Sequence, residues 1–128
     1  MAQIVRDERY WDMARAFVRV WMVEMNDALK ECGVEDTELR KEICGRAVFE
    51  MGNFLDQYWF DVNGDKYYPL LCFTRQFLDF DTDLEEVGEI FAPFEVEYHS
   101  FAYDIADWYF DEQQENDESA RMGYLDEE

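Results

Sequence analysis

Two stretches decide how this chain is read: RDERYWDMARAFVRVWMVEMNDALKEC (Arg6–Cys32) and, after Gly33-Val34-Glu35-Asp36, TELRKEICGRAVFEMGNFLDQY (Thr37–Tyr58). In the first, Tyr10, Ala14, Phe17, Trp21, Ala28 and Cys32 recur at helical spacing, flanked by Val18, Met22, Met25 and Leu29. Arg15, Arg19 and Asp12 fall on the other side, so one face is apolar and the other charged. Gly33 is a helix stop, because glycine alone takes the left-handed conformation without steric cost. Asp36 or Thr37 starts a second helix, with Glu38 in its first turn. Its apolar stripe reads Leu39, Ile43, Ala47, Met51, Leu55, Tyr58. Gly45 and Gly52 lie seven residues apart, where they let the first two helices pack closely. A short turn between two amphipathic helices predicts an antiparallel helical hairpin.

Outward from this pair the pattern changes. Trp59 to Val62, Asn63-Gly64, then Asp65 to Tyr68 is a β-hairpin signal, since Asn-Gly accepts the positive φ angles of a type I′ turn. Pro69 has no N–H to donate and limits the second strand. Leu70-Leu71-Cys72-Phe73 fits either an edge strand or a helix. A short helix is expected at Leu84–Phe91, ended by Pro93, and a last one from about Phe101 to Gln114 with Phe101, Ile105, Trp108 and Tyr109 facing inward. Past Asn116 the chain reads as a fraying acidic tail, about residues 117–128. The expected class is α+β, mainly α: a helical hairpin, a small β-hairpin and an acidic C-terminal helix. Its 128 residues suit a single domain.

Charge is distributed unevenly. The chain has 32 Asp plus Glu against 11 Lys plus Arg, a formal net charge of −21, yet 48% of its residues are hydrophobic and 18% aromatic. That is enough for a core, unlike the lean composition of a disordered chain. Residues 1–75 hold 14 acids and 10 bases and form a near-neutral scaffold. Residues 76–128 hold 18 acids and one base, Arg121. Such a surface repels nucleic-acid phosphates and anionic membranes, so neither is an expected partner. A basic protein is.

The N-terminus becomes charged before any apolar run long enough for a signal peptide, and no membrane-spanning run of 18 apolar residues occurs. Cys32, Cys44 and Cys72 form no disulfide framework or CxxC pair, and each lies among apolar residues as a buried free thiol would. The expected compartment is a reducing cytoplasm. Asp79-Phe80-Asp81-Thr82-Asp83-Leu84 starts like a calcium loop, but Leu84 and Ile90 stand where Gly and Glu are needed. His99 is the only histidine, and its spacing from Glu95 and Glu97 is not that of a carboxylate-bridged metal site. No cofactor, metal or catalytic constellation is expected, and the chain reads as a non-enzyme.

Five carboxylates carry the functional expectation. Asp104, Asp107, Asp111, Glu115 and Glu118 line one helix face if the helix runs that far, each about 5–6 Å from the next. The row resembles the phosphates along one nucleic-acid strand. Its self-repulsion costs on the order of 1–2 kcal/mol unless a cation offsets it. Asp79, Asp81, Asp83, Glu85, Glu86 and Glu89 widen the field, and Trp108 or Tyr109 is the expected aromatic anchor. The expected function is a small inhibitor that blocks a basic nucleic-acid-binding protein, either as an immunity protein or antitoxin, or as an anti-defence DNA mimic. The likeness to acidic DNA mimics is one of charge, not of motif. The alternative is an interaction or structural module of a larger assembly whose acidic face is its solvent side.

Overall fold

A computed structural model describes residues 2–112. It is a mixed α+β fold, mainly helical, with β1 (Gln3–Val5), α1 (Arg9–Glu31), α2 (Thr37–Gln57), β2 (Phe60–Val62), β3 (Asp65–Tyr67), β4 (Glu89–Phe91) and α3 (Ala102–Asp107). Single 3-10 turns form at Leu84–Glu86 and Tyr98–Phe101, and a π-helical turn, Trp108–Glu112, follows α3. Residues 117–128, expected to fray, lie outside the described residues.

Both long helices form where the sequence places them, but their buried faces are rotated from the expected ones. In α1 the core takes Tyr10, Ala14, Val18 and Met22, spaced by four, while Phe17, Ala28 and Cys32 are exposed. Arg19, expected in solvent, is buried with its guanidinium 3.9 Å from the Trp108 ring centroid, an attraction of cation and ring quadrupole that covers its aliphatic stem. In α2 the core face is Arg40, Cys44, Val48 and Gly52. The expected stripe sits one position further round, leaving Leu39, Met51 and Tyr58 exposed.

The reason for the rotation is polar. Asn26 and Arg40 are both buried. Arg40 donates from Nε to Asn26 Oδ1 (2.8 Å), from Nη1 to the carbonyls of Val34 (2.9 Å) and Glu35 (3.0 Å), and from Nη2 to Thr37 Oγ1 (3.2 Å). Asn26 Nδ2 in turn donates to the Tyr109 hydroxyl at 3.3 Å. One guanidinium thus ties α1, the inter-helix turn, α2 and the C-terminal segment together. Asp36 caps α2, its Oδ1 accepting from the N–H groups of Glu38 and Leu39.

The two glycines of α2 serve contacts other than the one expected. A Cβ at Gly45 would sit 3.1 Å from the Tyr103 ring, and one at Gly52 only 2.5 Å from the His99 backbone nitrogen. They admit the C-terminal segment, not α1. Asp56, one turn on from Gly52, accepts from the N–H groups of Tyr98 (2.6 Å) and His99 (3.0 Å) and from His99 Nδ1 (2.5 Å). Tyr10 donates its hydroxyl proton to the Leu71 carbonyl (2.6 Å), so the Tyr98 hydroxyl is the donor to the Tyr10 oxygen.

The sheets are small. β2 and β3 pair antiparallel through Asn63 and Gly64, both at positive φ, and every residue of the hairpin is exposed. β3 stops at Tyr67, before Pro69. The stretch at 70–73 contributes one antiparallel bridge, Phe73 with Phe91. The helix expected at Leu84–Phe91 is a single turn at Leu84–Glu86, and Glu89–Phe91 is a strand parallel to β1. Backbone groups of Gln3, Val5 and Phe73 bond this segment from both sides, which a helix there would forfeit. The β1–β4 ladder lets Phe91 enter the core. The last helix is also not uniform: after two turns of α3 the backbone widens into the π turn, and both Tyr109 and Phe110 are buried. Of the three thiols Cys44 is buried, Cys72 half-buried and Cys32 exposed, contrary to its expected burial.

Three outcomes are expected. Arg40→Met removes a donor from the Asn26 oxygen and from two turn carbonyls and lowers stability by on the order of 3 kcal/mol, read as a shifted urea midpoint. Gly52→Ala forces α2 away from the Tyr98–His99 backbone and costs about 1–3 kcal/mol by the same measurement. Burial raises both hydroxyls of the Tyr10–Tyr98 pair, Tyr10 to about 12, from an ordinary value of 10.0. Because its folded value lies above the unfolded one, the Tyr10 contribution to stability is full below pH 10 and is lost as pH rises through about 12, and Tyr98 is shifted in the same direction. Absorbance at 295 nm should therefore show these two tyrosines ionising late, together with unfolding.

Candidate acidic interface

The carboxylates of the C-terminal row are placed by the core contacts of their neighbours. Ala102, Ile105, Ala106 and Tyr109 face inward, so Asp104, Asp107 and Asp111 are exposed. The row is not bare. Lys41, from α2, places Nζ 3.0 Å from Asp107 Oδ1 and 2.8 Å from Asp111 Oδ2. Hydrogen bonds to Asp111 first and Asp107 second raise the Lys41 pKa above its ordinary value, so it is charged at neutral pH. An in-chain cation offsets the repulsion between these two acids. Glu115 and Glu118 lie outside the described residues.

Of the expected anchors, Tyr109 is fully buried against Asn26 and Phe110 and is unreachable from solvent. Trp108 is half-buried beneath Arg19. The exposed aromatic of this segment is Tyr103, at 50% exposure, packed edgewise over Gly45 and against Phe49. Tyr103 and Ala106 meet the cap residue Asp36 and α2 residues Glu38, Leu39, Lys41 and Glu42 in a depression of ≈ 380 Å³. A second depression of ≈ 570 Å³ adjoins it over Leu39, Ile43 and Ala47. None of Glu38, Glu42, Leu39 and Tyr103 is among the expected site residues, and Leu39 lies on the stripe of α2 expected to be buried. The four-residue recurrence Leu39-Ile43-Ala47 is the signal that marks this face, once the buried face of α2 is known to be Arg40-Cys44-Val48.

The Asp79–Glu89 acids divide by role. Asp79 and Asp83 build turns: Asp79 Oδ1 accepts from the Asp81 N–H (2.9 Å) and the Thr82 hydroxyl (2.8 Å), and Asp83 caps Leu84–Glu86 through the Glu85 N–H (3.0 Å). The Thr82 hydroxyl, then the Asp81 N–H, hold the Asp79 carboxyl below its ordinary pKa. Glu89 is half-buried on β4 and paired with Arg75 at 3.0 Å. Asp81, Glu85 and Glu86 are exposed, and in the same stretch of chain Phe77 and Phe80 point into water, Phe77 at 86% exposure and Phe80 fully exposed.

The Asp56–His99 contact has the form of an oriented imidazole, but Asp56 is occupied by two backbone N–H groups besides the ring. The neighbouring Ser100 hydroxyl donates to the Glu97 carbonyl (2.7 Å). Among the described residues no group of three His, Cys, Asp or Glu side chains is placed to hold a metal ion. Among them, too, no helix is long and apolar enough to cross a membrane. Comparison with protein-family models, curated proteins and solved structures finds no match to this chain.

Removing the cation tests the electrostatics of the row. Lys41→Ala should weaken the hold of α3 on α2 by about 0.2–1 kcal/mol for each exposed ion pair. The difference from wild type should shrink as salt is raised from 0.05 to 0.5 M, which thermal melts at the two salt concentrations will show.

Proposed function

We propose that this chain is a small, non-enzymatic inhibitor that binds and blocks a basic, nucleic-acid-binding protein, presenting carboxylates where that protein takes phosphates. The observation that carries this reading is the segregation of 18 acids with a single base into residues 76–128. In the described part of that region Asp104, Asp107, Asp111, Asp81, Glu85 and Glu86 stand exposed. The near-neutral residues 1–75, with α1 and α2 as an antiparallel hairpin, are the scaffold of one domain, and the C-terminal helix is its acidic face. An immunity protein or antitoxin and an anti-defence DNA mimic are the two roles that fit, both in the cytoplasm.

The anchors are those aromatics that water reaches. Phe77 and Phe80 lie among acids, and each offers about 1.5–3 kcal/mol if buried by a partner. Tyr103 adds a third. Lys41 neutralises part of the row in the free protein, so an arginine or lysine of the partner competes with it for Asp107 and Asp111. The long-range field speeds encounter and makes association salt-dependent. The exposed Leu39 and Met51 on α2, and Tyr58 just past its end, favour a second reading, an interaction module whose acidic face is solvation.

A low-salt pull-down from nuclease-treated host lysate, eluted by a salt gradient and read by mass spectrometry, separates the two. The inhibitor reading expects one stoichiometric basic protein, released as salt rises and lost on D104K/D107K/D111K. The same triple change to Asn, with fold checked by circular dichroism, guards against loss of structure. A partner that stays bound at high salt and ignores both triple variants makes the acidic face a solvated one.

A further inference from the structure

Beyond the sign of the partner's charge, the structure assigns the shape of the element that docks. We propose that the outer face of α2, between Leu39 and Ala47 and beneath Tyr103, receives a basic amphipathic helix of the partner protein. This rests on the basic-partner reading above, to which it adds a location away from the end of the acidic row.

The face is apolar and concave. Leu39 (44% exposed), Ile43 and Ala47 succeed one another every four residues, and Tyr103 stands over them as one wall. The adjoining depressions of ≈ 380 and ≈ 570 Å³ share Leu39, Glu42 and Tyr103, so they form one continuous groove along the helix. From Leu39 to Ala47 it extends about 12 Å at 1.5 Å per residue, the length of two turns of a partner helix. A ridge of side chains spaced by four is the surface against which another helix packs.

Charge chooses the occupant. Asp36, Glu38 and Glu42 rim the groove, and Asp107 and Asp111 lie beyond Lys41. The two cations nearby are engaged in ion pairs, Lys41 with those aspartates and Arg46 with Glu50 at 3.2 Å. A helix with leucine-like side chains on one face and Lys or Arg flanking them satisfies both floor and rim. A second copy of this chain brings its own −21 charge and repeats the acidic rim across the contact.

The probe is an amidated 18-residue peptide with Leu at i, i+3, i+4 and i+7 repeats and Lys elsewhere, titrated into the full chain. Controls are the same residues in scrambled order and the Leu/Glu counterpart. The groove predicts saturable binding of the ordered Lys peptide, with NMR shifts at Leu39, Ile43, Ala47 and Tyr103. It predicts affinity at least about tenfold lower for the scrambled peptide and for Leu39→Asn/Ile43→Asn, the loss of a well-packed anchor. Tyr68→Ala, an exposed aromatic beside the β2–β3 hairpin that does not line the groove, should bind as wild type does. Equal binding of the scrambled peptide, retention by the groove variant, or shifts confined to residues 76–89 overturns the assignment. So does a dimer in sedimentation that Leu39→Asn/Ile43→Asn dissolves and the peptide fails to displace. Loss of peptide binding in the groove variant while the lysate shows no salt-sensitive partner would sink the inhibitor reading and leave the groove standing.

Discussion

The Arg40 guanidinium organises the scaffold. A buried charge is tolerated only when its donors are satisfied, and this one meets the Asn26 amide, two turn carbonyls and a threonine hydroxyl. Those partners come from α1, the 33–36 turn and the start of α2, so the relation of the two helices follows from the geometry of one side chain. Through Asn26 the network reaches the Tyr109 hydroxyl, and with it the register of the C-terminal segment. Apolar packing alone would tolerate a sliding or rotated pair of helices. Directional hydrogen bonds do not.

The acidic surface inherits its position from this arrangement. Asp56 holds the Tyr98–His99 backbone against Gly52, where a side chain as small as a methyl group has no room. With that turn seated and Tyr109 tied to Asn26, the intervening residues bury Ile105 and Ala106. Asp104, Asp107 and Asp111 are then directed outward, with the last two over Lys41. The charge row is therefore part of a mixed face that includes Tyr103 and the outer side of α2. A recognition surface in general needs such a mixture, since carboxylates set orientation and encounter and apolar area supplies affinity.

Several elements were legible from residue order because local energetics decide them. Gly33 and Asp36 end and begin helices through backbone conformation and capping, and Asn63-Gly64 makes its turn through positive φ. The two small strands β1 and β4 were not legible. Three residues carry no periodicity, and their pairing joins positions 3–5 with 89–91, a contact that no local window contains. The same blindness affected the helix expected at Leu84–Phe91, where apolar residues interleaved with acids fit either state until a partner strand is present. On α2 the periodicity was right and its phase was off by one residue. Two apolar stripes, Leu39-Ile43-Ala47 and Cys44-Val48, lie a residue apart, and a buried arginine selects between them against the hydropathy of the side chains.

The amino-acid sequence by itself determined the helical scaffold, the hairpin turn and the segregation of acids into the C-terminal part, because propensity, capping and charge are properties of residues and near neighbours. Only the tertiary structure decided which aromatics meet water. Tyr109 went to the core because Asn26 was there to bond it; Tyr103 stayed at the surface because Gly45 gave its ring a shelf. It also supplied Lys41, seventy positions before Asp111, as the counter-ion of the row. Exposure and ion pairing are relations between distant parts of the chain, and they exist only once the packing of those parts is settled.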